Sequence, residues 1–251
     1  MYLTRSPFQT APAIDRPVLV VTHGSPSQPV VQEIAVLDLA QRLNSLLPNA
    51  VVRGATLAAK GSLDRAVAGL DNPIVCPWFM SDGWFVGTHL PKRLRAAGLA
   101  RWDATPPMGL MPGLGRLMRD RVQARLIRMG WKAAGTTLIL AAHGSPTSGK
   151  PRAATERAAL ALARHIDLKA VLPCYVDEAP AIADTARVEG PAIVLPFFAA
   201  RAGHVTGDLP AALAAADFTG PVLDPVGVWP ETPALALAPI TALCATRRAE
   251  V

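Results

Sequence analysis

Four side chains of this 251-residue chain are of the kinds that hold a divalent metal or move a proton: His143, Asp177, Glu178 and His204. Each stands just past a short apolar run. His143 ends "LILAAH", Asp177 and Glu178 follow "VLPCYV", and His204 follows "IVLPFFAARAG". Two imidazoles and a carboxylate make a donor set that suits Co2+, Fe2+, Ni2+ or Zn2+. The same groups accept a proton from a reacting centre. Gly144 and Gly203 flank the histidines, and glycine lets a flat ligand approach the backbone closely.

These residues meet only if the runs before them are neighbouring strands ending on one rim. The chain supports that placement by repeating itself. His-Gly-Ser-Pro occurs at 23–26 and again at 143–146. "NPIVCPWFMSDGWFVGTHLP" (72–91) aligns with "GPAIVLPFFAARAGHVTGDLP" (190–210), without a gap from Pro77 and Pro196 through Pro91 and Pro210. His23 lies 54 residues before Pro77, and His143 lies 53 before Pro196. A repeat at this scale means two copies of one structural unit. In the first copy the pattern predicts strands near 17–22, 50–56, 73–77 and 101–105, and helices near 28–47, 61–69, 85–97 and 112–129. In the second it predicts strands near 136–142, 169–175, 191–196 and 221–224, and helices near 151–165, 179–187, 205–216 and 233–247. Short apolar strands alternating with helices argue for parallel sheets covered on both faces. The expected fold is therefore α/β, with two similar lobes (1–132 and 133–251), each a four-stranded parallel sheet flanked by helices. Ligands of such sheets bind beyond the carboxyl ends of the strands.

The first copy does not keep the donor set. Phe85 stands opposite His204, His89 opposite Asp208, and "GATLAAKGSL" (54–63) has no carboxylate. Trp78, Phe79, Trp84 and Phe85 offer an aromatic wall instead, or pack in the core.

Composition narrows the class. Hydrophobic residues are 51% and charged residues 18%, which argues for a packed core and against disorder. No apolar run reaches the roughly 20 residues that span a bilayer, and "MYLTRSPFQTAPAIDRP" lacks an apolar signal core, so a cytoplasmic protein is expected. Cys76, Cys174 and Cys244 give no zinc or iron–sulfur spacing. The net charge of +6 suits an anionic ligand; scattered Lys and Arg with 5% aromatics argue against nucleic acid. A histidine phosphatase needs Arg before His-Gly, where Thr22 and Ala142 stand. A G-x-S-x-G elbow, a P-loop and a strand-linked G-x-G-x-x-G are all missing. A protein that carries its ligand or a metal without catalysis is the rival class.

"AAHGSP" (141–146) and "GHVTGDLP" (203–210) resemble the opening and closing motifs of the class II chelatases of the CbiX/SirB type, the sirohydrochlorin cobalto- and ferrochelatases. "CYVDEAPAI" (174–182) resembles the family's acid-bearing stretch, one residue short; Asp177 or Glu178 is the counterpart, with Glu178 preferred. The resemblance covers about 17–225. It implies flavodoxin-like lobes and insertion of Co2+ or Fe2+ into sirohydrochlorin or a related tetrapyrrole, with Ni2+ or Zn2+ as further metals. His143, His204 and Glu178, with Asp177, would hold the metal and take protons. The macrocycle would lie between the lobes against Ser145, Phe197, Phe198, Arg201, His23, Trp84, Phe85 and His89. No cofactor beyond the substrate metal is implied, and the protein would work as a monomer or homodimer. In long two-repeat members the working site is described in the amino-terminal half. Here the donors sit in the carboxyl-terminal half, as in CbiK-type cobaltochelatase and protoporphyrin ferrochelatase.

Overall fold

A computed structural model describes residues 14–248; the reading of residues 1–13 as lacking a signal core lies outside them. Lobe one runs β1 (Val18–Thr22), α1 (Pro29–Leu46), β2 (Val52–Thr56), α2 (Ser62–Val67), β3 (Ile74–Pro77), α3 (Leu90–Ala96), β4 (Asp103–Ala104) and α4 (Leu114–Met129). Lobe two runs β5 (Thr137–Ala142), α5 (Gly149–Ala163), β6 (Ala170–Tyr175), α6 (Ile182–Thr185), β7 (Ala192–Pro196), α7 (Leu209–Ala215) and α8 (Leu237–Arg248). All strand pairs are parallel, in the orders β2-β1-β3-β4 and β6-β5-β7.

β1 and β5 are interior strands, and their apolar runs are buried on both faces. That is why they read as continuous hydrophobic stretches rather than alternating ones. The expected fourth strand of lobe two is missing. Residues 221–224 make only a single bridge, Val194 to Val222, because Pro221 and Pro225 bracket the segment and proline donates no ladder hydrogen bond. In lobe one the equivalent strand shrinks to Asp103–Ala104. The helix expected at 179–187 shortens to Ile182–Thr185.

The two sheets share one core. Val18 and Val20 of lobe one belong to the same buried cluster as Leu138 and Leu140 of lobe two. α4 closes lobe one in sequence yet packs on α5 of lobe two, and the 3-10 turn Thr232–Ala236 before α8 packs on α1 of lobe one. Each lobe thus covers part of the other. The proline-rich stretch 224–239 serves as a strap here, with Trp229 buried beneath the guanidinium of Arg121. Among the described residues no helix is long and apolar enough to cross a membrane.

Cys76 and Cys174 are buried free thiols, and burial pushes both up to about 12. Since only the thiolate attacks thiol reagents, neither should be labelled in the native protein near pH ~8, and both should react once it is denatured. Native labelling of either would show that its strand end opens to solvent.

Candidate active site

Both central strands end in the same turn. His23 follows β1 and His143 follows β5; Gly24 and Gly144, next in line, both adopt φ of +75°. A side chain at 144 would be strained in that conformation, and its Cβ would lie 2.8 Å from Glu178 Cγ. The glycine therefore lets the loop after β6 close over the loop after β5. The Val176 and Asp177 N–H groups donate to the His143 carbonyl at 3.1 and 3.0 Å.

Glu178 locks this arrangement. Its Oε1 accepts the Ser145 N–H at 3.0 Å, and its Oε2 accepts Arg152 Nε and Nη2 at 3.0 and 2.7 Å. The Arg152 guanidinium lies 4.7 Å over the Tyr175 ring, and Glu178 in turn raises the Arg152 pKa, chiefly through their hydrogen bond. Burial pushes the Tyr175 phenol up to about 12. Both oxygens of Glu178 are thus committed within the lobe, and its side chain is only 16% exposed. The acid that faces the histidines is its neighbour: Asp177 Oδ2 lies 3.1 Å from His143 Nδ1.

His204 arrives by a different device. Residues His204–Asp208 form a π-helical turn, and Phe85–His89 form its twin in lobe one. Each turn runs into Leu-Pro. Proline has no N–H to donate to the carbonyl four residues back and its ring crowds that carbonyl, so the helix widens there. The turn puts His204 and Asp208 side by side, with Nδ1 2.6 Å from Asp208 Oδ2. The His143 and His204 rings then stand 4.1 Å apart, edge to face at 77°.

These contacts define the imidazoles. His143 Nδ1 meets the Gly144 carbonyl and Asp177, and His204 Nδ1 meets Asp208. Carbonyl and carboxylate oxygens only accept, so each Nδ1 carries the proton. In the neutral rings each Nε2 therefore bears the free lone pair. Carboxylates behind metal-binding imidazoles orient them and raise their basicity. Among the described residues no group of three or more His, Cys, Asp or Glu is preassembled as a metal cage.

The other expected site residues divide. Phe198 stacks behind His204 at 6.5 Å, with the rings 21° from parallel. Phe197 does not line the cleft: it is 1% exposed and packs in the common core. Its side chain alternates to the opposite face of the chain from the rim, a consequence of strand period that apolar composition conceals. Arg201 is ion-paired with Asp224, and Ser145 Oγ meets Thr147 Oγ1 at 3.4 Å. In lobe one, Trp84 and Phe85 are exposed, while Trp78 is buried and donates to the Gly227 carbonyl at 3.2 Å. His23 packs against Phe85, and His89 stacks on Trp84 at 4.9 Å. Desolvation first, then Arg93, His23 and Lys92, lower the His89 pKa. Asp208 escaped the sequence reading, though a His and an Asp four residues apart just before Leu-Pro is a usable signal.

The two rims are tied together. Lys150 Nζ donates to the Asp82 carbonyl at 2.9 Å, and Gln32 Nε2 donates to the Arg201 carbonyl at 3.2 Å. Each lobe's first helix thus reaches the loop that carries the other lobe's π-helical turn.

A search of curated protein sequences finds no match. Among solved structures, CbiX, described as the terminal enzyme for biosynthesis of siroheme in denitrifying bacteria, is 46% identical, with a TM-score of 0.83 over 90% of this chain and 99% of that one. A multi-domain protein of Deinococcus radiodurans with structural similarity to chelatases is 25% identical, with a TM-score of 0.68 over 90% of this chain and 54% of that one. SirB from Bacillus subtilis with Fe3+ is 15% identical and shares the fold, with a TM-score of 0.73 over 92% of this chain and 96% of that one. The CbiX family model matches residues 17–125 and 137–236, one copy for each lobe. With both repeats matched over most of its length, the chain belongs to the CbiX family.

Proposed function

We propose that this protein inserts a divalent metal, Co2+ or Fe2+, into sirohydrochlorin or a closely related tetrapyrrole. One observation carries the reading. The two imidazoles stand 4.1 Å apart on one rim, each with Nδ1–H held by its own carboxylate and Nε2 left free. The named function of the 46% identical CbiX supports the substrate class.

Metal and macrocycle are both substrates, and no resident cofactor is required. His143 and His204 take the incoming ion through Nε2 as it sheds water. An open pair of donors suits an ion in transit better than a closed cage, which would hold it. Two pyrrole protons leave as the ion enters the ring. Each imidazole, once free of metal, accepts one at Nε2, and Asp177 or Asp208 stabilises the imidazolium behind it. Asp177 is the working acid in this scheme. Glu178 is a positioning residue, because its oxygens already bind Arg152 and the Ser145 amide. Sirohydrochlorin is rich in carboxylates, which suits a chain with a net charge of +6.

The two acids separate by experiment. Asp177→Asn should lower the insertion rate about 10–100-fold with an unchanged melting temperature, because an exposed second-layer partner is lost. Glu178→Gln should lower the melting temperature, because a neutral amide holds Arg152 less firmly. The reverse pattern would exchange their roles.

The defining test is anaerobic visible absorbance with sirohydrochlorin and Co2+ or Fe2+. Insertion faster than the protein-free rate supports a chelatase. A shifted spectrum without acceleration makes the protein a carrier and defeats the proposal.

A further inference from the structure

His23 shares the local design of His143 but not its company. The turn, the glycine conformation and the strand position are the same. Its Nδ1 lies 2.8 Å from the Gly24 carbonyl, an acceptor only, so Nδ1 carries the proton and Nε2 the lone pair. The neighbours differ. Phe85 takes the place of His204 and sets its ring edge to face against His23, 4.4 Å away at 84°. Ala58 donates to the His23 carbonyl at 3.0 Å, as Asp177 does to that of His143, so an alanine occupies the acid's place in the backbone. In lobe one, where His89 stacks on Trp84, the donor at the strand end is therefore His23, whose Nδ1 meets a carbonyl and not a carboxylate.

That donor is poorly matched to a hydrated divalent ion, which gains one neutral ligand there and no charge compensation. It is well matched to a metal already inside a tetrapyrrole. The deprotonated ring nitrogens neutralise such a metal and fill its plane, leaving axial positions above and below. A single imidazole is the usual protein donor to an axial position. The placement agrees. β1 and β5 are interior strands, so His23 and His143 stand mid-rim in their lobes, and the two rims are joined by the Lys150–Asp82 and Gln32–Arg201 contacts. Trp84, 58% exposed, and Phe85, 37% exposed, give His23 an apolar surface on which a flat ring can rest.

We infer that His23 is an axial ligand for the metallated tetrapyrrole, binding the metal on the face opposite His143 and His204. The inference rests on the proposed placement of the macrocycle between the lobes. The exchange is balanced: the bond from His23 Nε2 to the metal forms, and the bonds from His143 and His204 Nε2 break. No electron is transferred, and the metal passes from the delivering lobe to the receiving one.

The probe is Co2+-sirohydrochlorin prepared without enzyme and added without oxygen to the His143→Ala/His204→Ala protein, whose lobe two has lost its imidazole pair. The electron paramagnetic resonance spectrum should show coupling of the cobalt electron to one axial nitrogen. His23→Gln added to that protein should abolish it, and free imidazole should restore it. With lobe two intact, His23→Gln should release the product about tenfold faster, a loss equal to roughly 1.4 kcal/mol of retention. Coupling that survives His23→Gln, or that is missing before His23 is changed, overturns the inference; loss with His89→Gln instead assigns the ligand to the other imidazole and also overturns it. A protein that shows His23-dependent coupling yet never accelerates insertion would sink the chelatase reading and leave this one standing.

Discussion

His143→Ala and His204→Ala should each lower metal insertion by at least about 100-fold while leaving the melting temperature nearly unchanged. Both rings are partly open to solvent, with side chains 46% and 42% exposed, and neither belongs to a hydrophobic core cluster. Removing them breaks only local hydrogen bonds at the rim, and exposed changes of that kind usually stay within about 0.5 kcal/mol. Activity responds differently, because the ion needs both Nε2 atoms together. One imidazole leaves it with a single donor. The double variant should therefore be little worse than either single one, since the pair acts as a unit. Steady-state insertion rates beside calorimetric melting curves check this. Two losses that multiplied independently would show that the histidines act in separate steps.

Gly227→Ala should unfold the protein most readily of the single changes considered and should disable the site as well. A Cβ at this position would lie 2.1 Å from the Ala199 carbonyl oxygen and 2.4 Å from its carbon. Neither atom belongs to a flexible side chain, so the main chain must move. Gly227 N–H donates to the Phe198 carbonyl at 2.9 Å, and its own carbonyl accepts from Trp78 Nε1, so both bonds are put at risk. Over-packing and a lost buried hydrogen bond together cost about 3 kcal/mol. For a chain of this size that lowers the melting temperature by roughly 6–12 °C. The segment pushed aside, 198–203, leads into the turn that carries His204. Below the melting transition the insertion rate should therefore still fall. Gly149→Ala is the control: its Cβ would meet no atom within 4 Å, and it should behave like the parent protein. A Gly227→Ala protein of normal stability would show that the strap yields at this point.

Much of this was legible because strand ends and turns are local. β1 and β5 announce themselves as apolar runs broken by His-Gly-Ser-Pro, since a strand covered on both faces has no polar side to alternate with. The gapless alignment from Pro196 to Pro210 placed His204 against Phe85 and Asp208 against His89, and the structure puts all four in twin π-helical turns. The strand expected at 221–224 failed for an equally local reason, its bracketing prolines. Phe197 and Phe198 read alike as apolar residues, yet one packs in the common core and the other stacks on His204.

What the sequence determined by itself was the donor types, the repeat that sets them at strand ends, and the lack of a carboxylate in 54–63 of lobe one, because covalent order and side-chain chemistry need no partner to be read. The tertiary structure alone decided which carboxylate faces which nitrogen. Asp177 and Glu178 are adjacent in the chain, but Arg152, twenty-six residues before Glu178, claims that carboxylate and turns Asp177 toward His143. It also decided that the strap from Asp224 onward joins the lobes, because α4 and α8 bury their apolar faces across the repeat boundary. Contacts of that kind depend on which surfaces are brought together, and no spacing within one repeat records them.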